Sequence, residues 1–416
     1  MMTSSEPDVF KLTIVLSGSG QTGGGFHQAV TNLRMLVSRL PEKITLRVLD
    51  TKGAFRAELE DLVMQEVLAL EDLLEVPSKF SHLNDRVVTS GSFIYRVARW
   101  ILKLQGKLVG ASPVARFLDT SDADLIYFPS PSPIAIELQR KPFIWTLWDI
   151  CHLDSPEFPE VRTSRKFEDR EQFISLGLRK SVLTVVDSQE LLRNIRTAYG
   201  IHSNKFVVIP FTPPGQISEA PETIPHLPPS LATLEAPFFF YPAQLWTHKN
   251  HVRIAEAIAL LKTQSFEVHA AFAGRDHGAG AAVRRVIDQL GVSDQIHFLD
   301  YVEDAMIPLL YSKSAGLLMP TYFGPTNIPP LEAFAMDVPV AASNLHREQL
   351  GEAALYFDPD DSSELAEVMK EILTNSVRQK LISRGRTRLD EIFLHRIAGE
   401  DALLDQLERL SRRILR

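Results

Sequence analysis

Short apolar runs alternate with longer amphipathic stretches along most of this chain of 416 residues. The apolar runs occupy residues 12–16, 44–49, 124–128, 143–147, 183–188, 206–210, 238–241, 268–273, 296–299, 315–319 and 338–342. Runs of four to eight apolar residues are typical of strands in a parallel sheet that helices cover on both faces. Helical patterns follow several of them, for example from Phe26 to Leu40 and from Ala57 to Leu74. The alternation therefore predicts an α/β fold of two Rossmann-like domains.

A proline-rich segment divides the apolar runs into two groups. Eight of the 26 prolines lie between residues 210 and 237, where the periodicity is weak. Such segments are typical of domain boundaries, and a chain of this length exceeds one ordinary core. We therefore predict a first domain over residues 1–212, a linker over 213–237, a second domain over 238–395 and a C-terminal helix over 396–416.

Composition narrows the class of protein. The hydrophobic content of 45% and charged content of 23% are those of a soluble globular protein. The net charge of -8 argues against nucleic acid as a partner, because phosphate binding needs a basic surface. The single cysteine, Cys151, excludes a disulfide framework and a cysteine-ligated zinc site, and fits a reducing cytoplasm. Without a secretory signal or a long apolar run, we expect a cytoplasmic protein that does not span a membrane.

One basic amphipathic stretch differs from the otherwise acidic chain. Residues 92–110 place Arg96, Arg99, Lys103 and Lys107 at helical spacing opposite an apolar face. Such a helix can rest on anionic lipid headgroups, which would give peripheral contact with the inner face of the cell membrane. A surface helix with its apolar face on the protein core is the alternative.

The stretch from Met319 to Val340 carries the strongest chemical signal. An apolar strand ends at Pro320, a loop of small and turn-forming residues follows, and a helix is predicted to begin at Pro329. A helix N-terminus at the carboxyl end of a parallel strand offers free N–H groups to an anion, and Glu332 in the first turn is suited to accept hydrogen bonds from hydroxyls. Phosphate beside hydroxyls indicates a nucleotide sugar. An ordinary strand–loop–helix unit with a capped helix is the alternative.

The sequence GPTNIPPLEAFAMDVPV within this stretch resembles the donor-site signature of retaining glycosyltransferases of family 4, which have the two-domain GT-B fold. The resemblance implies that Glu332 binds the ribose hydroxyls of the nucleotide. The family usually has another glutamate eight residues earlier, where this chain has Gly324. The sugar contacts of that missing glutamate are then expected from Thr326, Asn327 and Ile328.

A second motif follows the predicted strand 238–241, where the chain reads PAQLWTHKNH. The family has a basic residue, a short loop and a lysine–asparagine pair here, which implies that Lys249 neutralises the leaving diphosphate. A single cation at a helix entry is suited to that role, although an ordinary solvated lysine is the alternative. Gln244 stands where the family has an arginine, and Arg275 is expected to restore the charge. The resemblance also places the nucleotide base against the backbone near Val302.

The first domain offers a glycine loop after its first strand. Gly23, Gly24 and Gly25 precede a predicted helix, so their backbone can approach a phosphate closely. The resemblance places this loop at the cleft between the domains. A loop that only permits tight packing is the alternative.

Polar residues also follow the predicted strand 143–147, in the sequence WDICHLD. Trp148 stands where the family has a histidine that contacts the reacting sugar from the acceptor side. We expect Asp149 and, second, His152 to lie beside that sugar, where a neutral histidine can hydrogen-bond a hydroxyl or help to move a proton. An aspartate that caps the next turn and a buried histidine are the alternatives.

The resemblance implies a retaining, metal-independent transfer of a hexose across a cleft between two domains, with a C-terminal helix that crosses back to the first, acceptor domain. The donor would be a nucleoside-diphosphate sugar, with GDP-mannose as the first candidate. The acceptor would be a glycan or lipid-linked glycan, as for O-antigen and capsule mannosyl- or rhamnosyltransferases. No cofactor or metal is expected, because Lys249 and a helix dipole can neutralise the diphosphate. A non-catalytic nucleotide-sugar-binding or scaffold protein, and a sugar-nucleotide epimerase or phosphorylase, are the competing hypotheses.

Overall fold

The computed structural model describes residues 9–17, 24–65, 68, 73–74, 111–215 and 226–415. Its strands in these ranges are β1 (Phe10–Leu16), β2 (Ile44–Asp50), β3 (Leu73–Leu74), β4 (Leu125–Phe128), β5 (Phe143–Leu147), β6 (Leu183–Val186), β7 (Phe206–Val208), β8 (Phe238–Tyr241), β9 (His269–Ala273), β10 (Ile296–Asp300), β11 (Leu317–Met319), β12 (Val340–Ser343) and β13 (Ala354–Phe357). Eleven of these strands agree with the apolar runs to within about two residues at each end, whereas β3 and β13 were not predicted as strands. The prediction of two α/β domains is confirmed.

The strand order is of the Rossmann type in both sheets. Within the described ranges, the first sheet has the order β3-β2-β1-β4-β5-β6-β7 and the second has the order β10-β9-β8-β11-β12-β13. Each pair of neighbouring strands is parallel. In each sheet the first three strands are added toward one edge and the later strands toward the opposite edge. The switch lies between β1 and β4 in the first sheet and between β8 and β11 in the second. Ligands bind outside the carboxyl ends of parallel strands at such switch points, so these ends locate the expected site.

Helices cover the faces of both sheets. Those described are α1 (Gly24–Arg39), α2 (Arg56–Met64), α3 (Pro113–Thr120), α4 (Pro133–Glu137), α5 (Cys151–Asp154), α6 (Pro159–Arg162), α7 (Lys166–Lys180), α8 (Gln189–Tyr199), α9 (Pro229–Ala232), α10 (His251–Thr263), α11 (Gly280–Leu290), α12 (Ile307–Lys313), α13 (Pro329–Ala335), α14 (Arg347–Leu350), α15 (Ser362–Ile372) and α16 (Asn375–Ile414). The helix expected over 57–74 is wrong in its second half, because α2 ends at Met64 and Leu73 pairs with Val48 of β2. Pairing with a distant strand outweighs the local helical pattern there.

The last helix, α16, packs on both domains. Leu381 and Ile392 lie in the core of the second domain, whereas Leu403 and Leu407 are fully buried in the core of the first. The helix is continuous from Asn375 to Ile414. The predicted return of the C-terminal helix to the first domain is therefore confirmed.

The crossing point of α16 is fixed by a buried arginine and a glycine. Arg396 is 5% exposed, and its guanidinium donates to the carbonyl of Pro210 at 2.9 Å and to Asn32 of α1 at 2.8 Å. A Cβ added to Gly399 would lie 2.1 Å from the carbonyl oxygen of Val208, so only glycine lets the helix approach β7 this closely. Both contacts attach α16 to the first domain.

Three predicted features lie outside the described residues. They are the basic stretch 92–110, the middle of the linker over residues 216–225, and Gly23 of the glycine loop. Among the helices that the structure describes, none has the length and apolar character needed to cross a membrane.

Candidate functional site

A cavity of about 400 Å³ lies between the two domains at the carboxyl ends of the strands. Its polar wall comes from the first domain at Asp149, Cys151, Glu160 and Arg170, and from the second domain at His248, Lys249, Thr326 and Asn327. Two of the motifs expected to bind the donor are thus brought together with the Asp149 segment.

Lys249 is a partly buried cation in the wall of this cavity. It ends the short 3₁₀ turn after β8, and its Nζ donates to Asn327 Oδ1 at 3.4 Å. Burial lowers the pKa of Lys249 to about 8, although the carboxylate of Asp149 favours the charged form. An ammonium group that the protein solvates this poorly will bind an anion strongly.

The loop from 321 to 328 is held at Asn327 by two reciprocal hydrogen bonds. The N–H of Asn327 donates to Gln349 Oε1 at 2.8 Å, and Gln349 Nε2 donates to the carbonyl of Asn327 at 2.6 Å. Gln349 is 7% exposed. Because Asn327 also accepts from Lys249, this buried amide fixes the loop relative to the cation.

The same loop is bonded to the first domain through Thr326. Its hydroxyl donates to Asp187, which is 2% exposed at the end of β6. Burial raises the pKa of Asp187 to about 8, against hydrogen bonds from Thr326 and Ser188 that favour the carboxylate. A second contact joins the domains where the N–H of Gly324 donates to the thiol of Cys151 at 3.2 Å. The loop is therefore part of the domain interface.

The N-terminus of α13 has fewer free donors than the sequence predicts. Pro329 and Pro330 have no N–H, and the N–H groups of Leu331 and Glu332 both donate to the carbonyl of Ile328, at 2.8 and 3.1 Å. The expectation of a row of free amides from 328 to 332 therefore needs correction. The two prolines that begin the helix have no N–H to donate, and the tight first turn uses the next two N–H groups.

Glu332 lies in the first turn of α13, next to this backbone. Its Oε2 accepts a hydrogen bond from Tyr311 at 2.9 Å. Burial raises the pKa of Glu332 to about 7, and the Tyr311 hydroxyl opposes that shift. Asp304 adds a second negative charge nearby and lies 3.8 Å from His27 of α1. This group of side chains is not in the lining of the cavity that holds Lys249.

The N-terminus of α1 packs directly on the donor loop. A Cβ at Gly24 would lie 2.4 Å from the Ile328 side chain, and one at Gly25 would lie 2.6 Å from the ring of Trp148. A side chain at either glycine would require Ile328 or Trp148 to move, so both glycines favour close approach of the domains. The first amides of this 16-residue helix are brought beside Ile328.

Asp149 lines the cavity as predicted, and it also organises the turn that follows β5. Its Oδ1 accepts from the N–H of Cys151 at 2.9 Å and from the Arg170 guanidinium. Asp149 therefore caps the turn that follows, as the alternative predicted, and it also lies in the wall of the cavity.

The structure does not place His152 in the cavity. Its ring is fully buried, and Nε2 lies 2.9 Å from Glu171 on α7. The ring also packs against Phe167 at 5.3 Å between centroids. The short helix α5 turns this side chain toward α7, so the expected contact with the reacting sugar is corrected to the alternative of a buried histidine.

Three other predicted residues lie outside the cavity lining. Gln244 is exposed and accepts from Trp246 Nε1 at 3.0 Å. Arg275 is exposed and stacks over the ring of Tyr301 at 4.7 Å. Val302 is partly buried against the core of the second domain. Arg275 therefore does not stand beside Lys249 as a second cation.

The structure adds one pair of residues that the sequence did not reveal. Glu160 of α6 reaches across the cleft to His248, the residue before Lys249. The available signal was a carboxylate at the start of a short, proline-initiated helix soon after Asp149. Nothing in local spacing connects that residue to a histidine 88 positions later.

A larger cavity of about 580 Å³ lies on the other side of the Thr326–Asp187 contact. It is bordered by β7, α8 and α16, and its lining is mainly apolar, including Phe206, Leu192 and Ile392. Neither Lys249 nor Glu332 lines it, so size alone does not identify the site.

The second domain is similar in sequence to known proteins. Residues 236–375 match the protein-family model described as glycosyl transferases group 1. The O-antigen chain mannosyltransferase RfbU from Salmonella typhimurium is 32% identical over 138 residues, which are 32% of this chain and 38% of that protein. O-antigen chain mannosyltransferase B from Escherichia coli is 32% identical over 93 residues, 22% of this chain and 24% of that protein. The matches thus span less than half the length of either relative.

A solved structure is similar over nearly the whole chain. HepE from Anabaena, in complex with UDP-glucose, aligns over 94% of this chain and 99% of its own, with a TM-score of 0.64 and 16% sequence identity. At this identity the similarity establishes the fold. Two Rossmann-like domains that face each other across a cleft, with a last helix that returns to the first, define the GT-B class of proteins. Within that class, residues 236–375 of the second domain match the model of the group 1 glycosyl transferases.

Proposed function

We propose that this protein is a retaining glycosyltransferase that moves a hexose from a nucleoside-diphosphate sugar to a glycan or lipid-linked glycan acceptor. The observation that carries the proposal is Lys249, a partly buried cation with a depressed pKa in a cavity between the domains. Such a group is suited to bind the charge that develops on a departing diphosphate. The UDP-glucose complex of the structurally similar HepE supports a nucleotide sugar as donor.

The residues divide the work by their chemistry. Lys249 would stabilise the diphosphate, with the first amides of α1 nearby, and Glu332 would accept hydrogen bonds from the ribose. Asp149 would lie beside the reacting sugar. The leaving phosphate would help to deprotonate the acceptor on the same face of the sugar, which retains the anomeric configuration. Because Lys249 supplies the positive charge, we propose that transfer needs no resident metal ion.

The names of the curated relatives favour a mannosyl donor and an O-antigen type of acceptor. GDP-mannose is therefore the first donor to test. The proposed place of action is the cytoplasmic side of the cell membrane, where lipid-linked glycans are extended.

A thermal-shift screen tests the proposal. UDP, GDP, ADP, CMP and dTDP are added with and without their sugars, since a ligand that binds only the folded protein raises its Tm. We expect one diphosphate to raise the Tm selectively, and Lys249→Ala and Glu332→Ala to abolish that shift. If none of them shifts the Tm of the wild-type protein, the donor site does not exist.

Product analysis with the selected donor separates the competing hypotheses. A new glycosidic bond with the donor's anomeric configuration, formed in the presence of EDTA, supports retaining transfer without a metal. An isomerised sugar nucleotide indicates an epimerase, consumption of inorganic phosphate indicates a phosphorylase, and binding without turnover indicates a non-catalytic protein.

A further inference from the structure

Glu160 is a first-domain carboxylate that is held against the second domain. Its Oε1 accepts from the N–H of His248 at 3.2 Å and lies 3.3 Å from His248 Nδ1. The side chain is 12% exposed, as is that of His248. The carboxylate is therefore held against His248, the residue that precedes Lys249 in the chain, in the wall of the same cavity.

The second oxygen of this carboxylate is unused. Oε2 is buried and has no hydrogen-bond partner among the residues that the structure describes. A buried acceptor without a partner is destabilising, and a hydrogen bond from a ligand to this carboxylate would offset that loss.

Glu160 also keeps its negative charge. Burial raises the pKa of Glu160, but backbone N–H groups that face the carboxylate, among them that of His248, outweigh burial and hold the pKa below its ordinary value. Burial and the charge of Lys249 lower the pKa of His248 to about 4, so the imidazole is neutral at pH 7. The pair is thus a carboxylate with a neutral partner, and no charge on His248 offsets that of Glu160.

The donor loop itself offers no acid at this place. Residues 321–328 contain no carboxylate, and Gly324 has a φ of 91°, a conformation in which a side chain is strained. Asp149, the other acid of the cavity wall, is paired with Arg170. Glu160 is therefore the carboxylate of this cavity that retains both its charge and an unused oxygen.

We propose that Glu160 contacts the glycosyl group of the donor, with its carboxylate accepting hydrogen bonds from adjacent hydroxyls of the hexose. Carboxylates are strong acceptors for hydroxyl donors, and the adjacent Lys249 would bind the diphosphate to which the hexose is attached. The inference rests on the proposed function and specifies which residue recognises the sugar. Because Glu160 belongs to the first domain and Lys249 to the second, the sugar is recognised only where the two domains meet.

Paired ligands test this assignment. Binding of GDP and GDP-mannose, and in parallel of UDP and UDP-glucose, is measured by calorimetry for the wild-type protein and for Glu160→Gln. The amide preserves size but removes the charge, and a hydrogen bond to a charged group is worth about 1.5–3 kcal/mol. We expect Glu160→Gln to bind the nucleotide sugar about 10- to 100-fold more weakly and the free diphosphate as tightly as wild type.

Two further variants control the measurement. Glu157→Gln makes the same chemical change on an exposed side chain three residues away and should alter neither affinity. Glu160→Asp retains the charge but shortens the side chain, so it should lose less affinity for the sugar nucleotide than Glu160→Gln.

The possible failures are distinct. An equal loss for diphosphate and nucleotide sugar in Glu160→Gln would show a contact that only joins the domains, and unchanged affinity for both would show no contact; either overturns the inference. A wild-type protein that binds none of the four ligands would overturn the proposed function and this inference with it.

Discussion

Binding of a nucleoside diphosphate should be accompanied by proton uptake at Lys249. In the ligand-free protein, burial lowers the pKa of this side chain from 10.5 to about 8. A bound diphosphate would place negative charge against the ammonium group and raise the pKa again. At a pH near 8, the neutral fraction of Lys249 must therefore take a proton from the buffer when the ligand binds.

The depression of the pKa sets the size of two effects. It corresponds to about 3 kcal/mol by which the charged lysine destabilises the folded protein below pH 8. Between about pH 8 and 10.5 the unfolded chain binds more protons than the folded one, so the free energy of unfolding rises with pH in that window and the penalty disappears above it. For binding, a pKa of about 8 predicts uptake of about 0.5 proton at pH 8 and about 0.9 at pH 9.

Calorimetry in two buffers of different ionisation enthalpy measures the uptake directly. The wild-type protein should show a buffer-dependent binding enthalpy at pH 8 and 9, and an affinity that falls as the pH rises. Lys249→Met should bind the diphosphate much more weakly, without this uptake, and should raise the Tm of the ligand-free protein because it removes a buried charge.

Lys262→Met is the matched control, since Lys262 is an exposed lysine on α10 of the same domain, paired with Asp294. It should leave both the affinity and the proton uptake unchanged. A wild-type binding enthalpy that is the same in both buffers at pH 8 would refute the reasoning, because it would mean that Lys249 is already fully charged before the ligand arrives.

Three further predictions follow from buried groups at the interface. Burial raises the pKa of Glu332 to about 7, so between pH 4.5 and 7 the folded protein binds a proton that the unfolded chain has lost, and the free energy of unfolding falls as the pH rises. Glu332→Gln should remove this fall in urea titrations and weaken nucleoside binding about 10- to 100-fold. Burial likewise raises the pKa of Asp187 from 3.8 to about 8, so Asp187→Asn should have a higher Tm than wild type at pH 8.5 and a similar one at pH 5, and an equal difference at both pH values would contradict this. Gly24→Ala should destabilise the protein by about 1–3 kcal/mol in urea unfolding because its Cβ meets Ile328 Cδ1 at 2.4 Å, and adding Ile328→Val, which removes that methyl group, should restore much of the loss.

The sequence predicted the fold better than the site, for a physical reason. Strands such as β5 and β8 are buried on both faces, so their apolar runs are continuous and visible without any knowledge of their neighbours. The edge strand Leu73–Leu74 has no such signal, because it exists through its pairing with β2. Asp149 was found because it closely follows the predicted strand β5, and Lys249 because it lies in the motif that follows the predicted strand β8.

The remaining parts of the site depend on contacts between residues far apart in the chain. Glu160 meets His248 and Asp187 meets Thr326 across the domain interface, and no periodicity encodes either pair. His152 was misplaced because one turn of helix decides whether a ring faces the cleft or α7.

The continuous helix α16 has a consequence for engineering chimeric proteins from this scaffold. A hybrid that takes its donor half from one parent and its acceptor half from another must be cut twice, in the linker and within this helix. Leu403, Leu407 and Arg396 fit the first domain, so the tail from about residue 396 should come from the parent that supplies residues 9–215. A hybrid joined at the linker alone would carry a foreign tail against β7, where even a single added methyl group at Gly399 has no room.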